Sequence, residues 1–448
     1  MTTTEEVPAH LRGNGAPVRE ERTLTELEVI GAIPAELDGR YLRNGADPIT
    51  GYSDHPFLGD GMIHGVRLRD GRAEWYRNRY VKTPFVVDPD KPAVDMEVMT
   101  DMTFSKANTS IIAHAGRYLA LEEGHFPYAI DGMLETVGPV DFGGSLRGPF
   151  SAHPKICPIT GELLAFGYSF LPPYLTYLRV SAAGELVQVE PITVGGPTMM
   201  HDFNVTQHHV IFMDLPAVFD MELAMKGEMP IHWGSDYPAR LGVMPRDGSD
   251  ADVTWYDIDP CYVFHPMNAY EDGDRIVIDV ARLDHIWRDS PMDFPPPTLH
   301  RWTIDTAGGK VVEEQVDDRP AEFPRVPDAL VGLHHRFGYM LAADDATFGD
   351  LSSGSGAIVK YDLTTGSSSM LPFGKGRMPG EAVFVPAEGG TAEDDGYLMT
   401  YVYDAATERS ELAILDAATM SAEPIATVRL PRVPFGFHGS WIPTTMAD

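Results

Sequence analysis

Basic residues are the first thing in short supply. There are 34 Lys and Arg against 66 Asp and Glu, a formal net charge of −32 across 448 residues. A surface of that sign repels phosphate backbones, which argues against a nucleic-acid partner. Anionic lipid head groups are repelled for the same reason, so any membrane contact has to be apolar. Cysteine is nearly absent, with only Cys157 and Cys261; that usage fits two buried thiols in a reduced compartment better than a disulfide framework. No apolar run approaches the roughly 18 residues of a spanning helix. Met1 to Pro17 is polar, without the basic and apolar regions of a secretory signal. The expectation is therefore a cytoplasmic protein, at most peripheral to a membrane. No Gly-rich dinucleotide fingerprint appears. Helical signal is scarce as well: Ala217 to Lys226 (AVFDMELAMK) is the clearest helix, and Thr23 to Leu37 has room for a short turn.

What the chain has in quantity is glycine and proline, 43 and 37 residues, together with 20 Phe and 18 Tyr. Turn dipeptides recur at Asp70-Gly71, Ala115-Gly116, Thr160-Gly161, Ala183-Gly184, Asp272-Gly273 and Thr365-Gly366. Between them lie β-type runs such as Val210 to Met213, Arg275 to Val280 and Tyr397 to Tyr403. This rhythm predicts a large all-β fold, and a propeller meets the length best. No linker divides the chain, so residues 1–448 read as a single domain, with about the first 20 residues flexible.

Of the sixteen histidines, most need no special role. The adjacent pairs His208-His209 and His334-His335 are poor candidates for one metal, because neighbouring strand residues face opposite sides. Four others sit in distinctive words: His153 in SAHPKICPITGE, His201 in MMHDFNVT, His265 in VFHPMNAYEDGD and His438 in VPFGFHGSW. Their wide separations require ligands delivered from different parts of the fold, as inner propeller strands can do. Imidazole suits Fe, Zn, Cu and Ni alike, so the residue type leaves the metal open.

The words around these residues are similar to those of the carotenoid cleavage oxygenase family, which also includes stilbene and vinylphenol cleavers and a retinoid isomerase. The resemblance runs from Leu42-Arg43-Asn44-Gly45 through Gly59-Asp60-Gly61-Met62-Ile63-His64 and Ala107-Asn108-Thr109 to Phe437-His438-Gly439, almost the whole chain. It implies an all-β, seven-bladed propeller with a few short helices and loops capping the iron-bearing face. It implies Fe(2+) on the axis, held by His153, His201, His265 and His438, with two positions left open for O₂ and water. Zinc, which cannot change redox state, suits that chemistry poorly. Glu123, Glu322 and Glu381 are implied as acceptors behind three of the histidines, where they fix the tautomer and raise basicity. His153 is implied as the exception. Thr109 is implied to crowd one open iron position. His64, Arg43, Asn44 and Trp441 read as scaffold.

The implied reaction is cleavage of a conjugated C=C bond by O₂ into two carbonyl products, needing no flavin, nicotinamide or 2-oxoglutarate. Tyr168 to Tyr177, Met199-Met200 and Phe219 to Met229 offer walls or an entrance for an apolar substrate, and such an entrance can touch a membrane transiently. Stilbene and vinylphenol cleavers tend to carry Lys immediately before the first glutamate; here Glu122 stands there and cannot meet a phenolate. A carotenoid or apocarotenoid is therefore the expected substrate. The alternatives are a stilbene or vinylphenol cleaver and a non-oxidative isomerase of the same fold. A metal-free binding propeller is a more distant alternative, and calcium would ask for oxygen ligands instead of imidazoles.

Overall fold

The computed structural model describes residues 7–446 apart from 92–97, 99, 227–228, 291–292 and 344–353. Strands dominate it, arranged as seven antiparallel sheets of four to six strands that form the blades of a propeller, with one further two-stranded hairpin. Each predicted run finds its strand: Val210 to Met213 in His209–Asp214, Arg275 to Val280 in Arg275–Leu283, and Tyr397 to Tyr403 in Gly396–Asp404. The turn dipeptides behave as their chemistry demands. Asp70 and Gly71 both take positive φ (50° and 71°), as do Ala115 and Gly116 (49° and 73°). This is the pattern of tight turns whose twist matches the flanking strands.

The ring is closed by pairing its two ends. The strand Gly439–Pro443 joins Gly39–Arg43 in one blade, and Val29–Gly31 adds to Ala426–Leu430 in the next. Scaffold residues lie at this closure. Asn44 Nδ2 donates to the carbonyls of Ala107 (2.7 Å) and Ser110 (3.1 Å), and Arg43 donates to the Pro434 carbonyl. His64 is buried, with Nδ1 2.9 Å from the Tyr76 hydroxyl, and pairs with Arg43 along the strands. Of the N-terminal stretch expected to be flexible, residues 1–6 lie outside the described residues. Beyond them Leu11 and Asn14 are buried, and the Asn14 carbonyl accepts the Phe435 N–H.

The helix expected over Ala217 to Lys226 is shorter. Ala217–Phe219 is a strand paired with Ile231–Trp233, and only Met221–Lys226 is helical. Asp220 explains the boundary: its Oδ1 accepts the N–H groups of Glu222 (2.7 Å) and Leu223 (3.3 Å), starting the helix after the strand. Both cysteines are buried and unbridged. Among the described residues no helix is long and apolar enough to cross a membrane.

Candidate metal centre

Each of the seven blades sends one histidine or glutamate to the same place. His438 directly precedes the strand Gly439–Pro443, His153 lies just ahead of Lys155–Ile156, His201 ahead of Asn204–Val205, and His265 within Tyr262–Asp272. Glu123 follows Arg117–Leu121, Glu322 lies in Ala321–Arg325, and Glu381 sits between Arg377–Pro379 and Val383–Pro386. Residues hundreds of positions apart meet because the blades' inner strands run beside the axis; Glu123 alone follows a second strand, Arg117–Leu121, whose end pairs with the start of Ser110–His114.

The four imidazoles offer ligand atoms that all lie within 4.8 Å of one another. The Nε2 atoms of His153 and His201 are 3.0 Å apart, and those of His201 and His265 are 3.2 Å apart. Their outer nitrogens explain why these edges face inward. His201 Nδ1 donates to Glu123 Oε2 at 3.0 Å, His265 Nδ1 to Glu322 Oε2 at 2.7 Å, and His438 Nδ1 to Glu381 Oε1 at 3.0 Å. A carboxylate only accepts, so the proton of each neutral ring is held at Nδ1 and the Nε2 lone pair is bare. Lone pairs converging at about 3 Å repel unless a cation lies between them. Four imidazoles, three of them backed by carboxylates, fit a first-row transition metal such as iron.

His153 is held differently. Its Nδ1 is 3.8 Å from Asp202 Oδ2, outside hydrogen-bond range, while Asp202 itself takes Lys155 Nζ at 2.8 and 2.9 Å. The protonation tendencies follow these surroundings. Burial and the neighbouring histidines push His153 well below the ordinary imidazole value. At His201 burial opposes protonation, but the Glu123 carboxylate overrides it and the pKa is raised. Burial lowers His438 despite Glu381. Glu381 is fully enclosed, which alone would raise its pKa, yet Arg325 and His438 bring it down to about 2.

Thr109 accepts the His438 N–H at its carbonyl (3.2 Å), and its hydroxyl donates to Asn108 Oδ1 at 3.0 Å. Glu122 is tied up locally: Oε1 accepts from His125 Nδ1 at 2.8 Å and Oε2 from the Gly124 N–H at 2.9 Å. The adjacent pair His208-His209 does converge, though on a carboxylate: both Nδ1 atoms reach Glu271, at 2.7 and 2.9 Å. Strand alternation does not separate them because the strand begins only at His209.

An aromatic shell beside the histidines was not apparent in the sequence. Phe264 lies edge-on to His201 (5.3 Å between ring centroids), and Phe57 touches Phe264, Trp287, Phe294 and Phe437 at 5.8–6.5 Å. Phe323 stacks on His265 at 5.4 Å. The local signal was there in part, since Phe264 and Phe437 each precede a site histidine. Of the expected wall residues, Tyr177, Met199 and Met200 are core. Phe170 stacks on Phe219 at 5.1 Å, beside exposed Leu171, Met221 and Met225; Gly227 and Glu228 of that stretch lie outside the described residues.

The profile of the family described as retinal pigment epithelial membrane protein matches residues 15–443. The chain belongs to that family. It is 40% identical to a carotenoid cleavage oxygenase of Mycobacterium tuberculosis, over 99% of this chain and all of that protein. It is 35% identical to carotenoid 9,10(9',10')-cleavage dioxygenase 1 of Arabidopsis thaliana, over 97% of this chain and 90% of the relative. Among solved structures, the lignostilbene dioxygenase of Pseudomonas brassicacearum superposes with a TM-score of 0.88 at 30% identity, covering 97% of this chain and 98% of that one. Cobalt-substituted Synechocystis apocarotenoid oxygenase gives 0.84, also at 30% identity, covering 96% and 97%. This family member is a cleaving dioxygenase, and its fold is the family's seven-bladed propeller.

Replacing Glu381 by Gln keeps the size but removes the charge that strengthens His438 as a ligand, and its one amide oxygen cannot accept from both His438 Nδ1 and the Gly439 N–H. Metal affinity and turnover should each fall about 10–100-fold without vanishing. Titration with cobalt(II) and steady-state rates check this; wild-type values for both would show that Glu381 has no part in holding the metal.

Proposed function

We propose that the chain, acting as one propeller domain, is an iron(II) dioxygenase that cleaves a C=C bond of a carotenoid or apocarotenoid. The observation carrying this reading is the inward-facing set of Nε2 atoms on His153, His201, His265 and His438, three of them backed by Glu123, Glu322 and Glu381. When bound there, iron(II) supplies the activation of O₂ that organic side chains lack.

The rest is done by the chain's own residues. The three glutamates keep the Nδ1 protons in place, so the Nε2 edges stay available. Phe57, Phe264, Phe323 and Phe437 give an apolar wall beside the histidines, which excludes water and suits the flat face of a polyene. Thr109, linked to His438 through the main chain, limits the space beside the metal. The overall change adds one O₂ across the double bond and places one oxygen atom on each carbonyl product.

The choice of substrate rests on position 122. Glu122 is mostly buried and engaged with His125; the His125 contact and local N–H groups lower its pKa against the effect of burial. A carboxylate there repels a phenolate where a lysine would attract it. The 40% identity to a carotenoid cleavage oxygenase points the same way. The half-buried Phe170 and Phe219, with the exposed Leu171 and Met225, fit an apolar entrance that touches a membrane transiently. Incubating the iron-loaded protein in air with apocarotenals, carotenes, resveratrol and isoeugenol, with products read by mass spectrometry, tests the assignment. Paired carbonyl products from a carotenoid or apocarotenoid are expected. Cleavage of the phenolic compounds alone would move the enzyme to the stilbene group, as its structural likeness to the lignostilbene dioxygenase allows.

A further inference from the structure

The strand Ala321–Arg325 breaks register against Phe337–Ala343 between Glu322 and Arg325. Phe323 sits in the break at φ 53°, a conformation a bulky side chain adopts only at a cost. In a regular strand residues three apart face opposite sides. Here the bulge lets both serve the histidine cage. Glu322 accepts from His265, while Arg325 Nη1 donates to Glu381 Oε2 and to the Gly439 carbonyl, each at 3.1 Å. Glu381 Oε2 also accepts the Gly439 N–H at 2.8 Å. Arg325 therefore grips both the carboxylate behind His438 and the residue that follows His438. Its other nitrogen, Nη2, bonds Asp328 at 3.0 Å toward solvent.

The three glutamates differ in this respect. Among the described residues, only Glu381 has a Lys or Arg within ion-pair distance; the partners of Glu123 and Glu322 are histidines. Glu322 Oε1 is buried with no hydrogen-bond partner. A divalent ion with three carboxylates carries a net charge of −1, which is costly to enclose. Lys155 already balances Asp202, so it is not available for this charge. Arg325 makes the ensemble neutral, its second partner Asp328 being largely exposed to solvent.

We infer that Arg325 is a positioning residue of the centre, fixing Glu381 behind His438 and cancelling the surplus negative charge around the metal. The inference rests on the iron reading above. Without Arg325 the extra negative charge favours the ferric over the ferrous ion, so the resting enzyme oxidises more readily in air.

The test uses whole protein loaded with iron(II) under nitrogen and then exposed to air without substrate, with ferric signal followed by electron paramagnetic resonance. Arg325→Met should turn ferric at least about threefold faster than wild type and show a lower reduction potential, while Arg325→Lys, which keeps the charge, stays near wild type. In a Glu381→Gln background the ensemble starts at +1 and Arg325→Met returns it to neutral, so the double variant should oxidise at about the wild-type rate. Equal rates in wild type and Arg325→Met, or a double variant that oxidises as fast as Arg325→Met alone, overturn the inference and leave the iron reading standing. If Arg325→Met does not fold, Arg325→Gln carries the same comparison. Wild-type protein that takes up no iron overturns both.

Discussion

His201→Ala should abolish stoichiometric iron binding and reduce cleavage more than about 100-fold, since losing even a partner behind a ligand costs about 10–100-fold. The fold should survive. His201 contributes no strand pairing, and its removal leaves one partly buried carboxylate, Glu123, short of a partner, a loss of about 1–3 kcal/mol. The Nε2 of His201 lies 3.0 Å from that of His153 and 3.2 Å from that of His265. Metal analysis, circular dichroism and turnover together check the prediction. Full iron and full activity in a folded variant would remove His201 from the ligand set.

Gly61→Ala should produce a large effect of another kind. A Cβ at Gly61 would lie 2.1 Å from the Ala107 carbonyl oxygen and 2.7 Å from that of Lys106. Both obstacles are backbone, so no side chain can swing aside. The Gly61 N–H donates to the Lys106 carbonyl and the Val81 N–H to the Gly61 carbonyl, which fixes the close approach from both sides. Overpacking of this type costs about 3 kcal/mol or more. The displaced segment leads through Asn108 to Thr109, whose carbonyl accepts the His438 N–H, so loss of stability should be accompanied by weaker metal binding. Thermal unfolding of Gly61→Ala beside Gly116→Ala checks it. A methyl added at Gly116 would meet nothing within 4 Å, but the residue holds φ at 73°, so the loss there should be confined to backbone strain of about 1 kcal/mol. A Gly61→Ala midpoint equal to wild type would contradict the close packing.

These two residues show what sequence carries and what it does not. Turn dipeptides and strand runs are local features, so the β architecture was legible directly. The four histidines and three glutamates stood in recognisable words because each lies on or directly next to a strand of its own blade. Ala217 to Lys226 misled because the strong helix formers of Met221 to Lys226 carried the reading over Val218 and Phe219, which favour strand; the cap at Asp220 and the pairing of Val218 with His232 decide where the helix begins. The aromatic shell was hidden because Phe57, Trp287 and Phe294 meet only in the folded ring. Arg325 was hidden for a subtler reason. Its distance of three from Glu322 predicts opposite faces, and only the bulge at Phe323 brings both to the centre.

The most direct test of the central claim is the stoichiometry of oxygen uptake against alkene loss by the iron-loaded protein. An apocarotenoid supplied in air should consume one O₂ per double bond cleaved, with ¹⁸O from labelled O₂ appearing in both carbonyl products. Substrate rearranged with no oxygen consumed would contradict the claim and assign this centre to isomerisation.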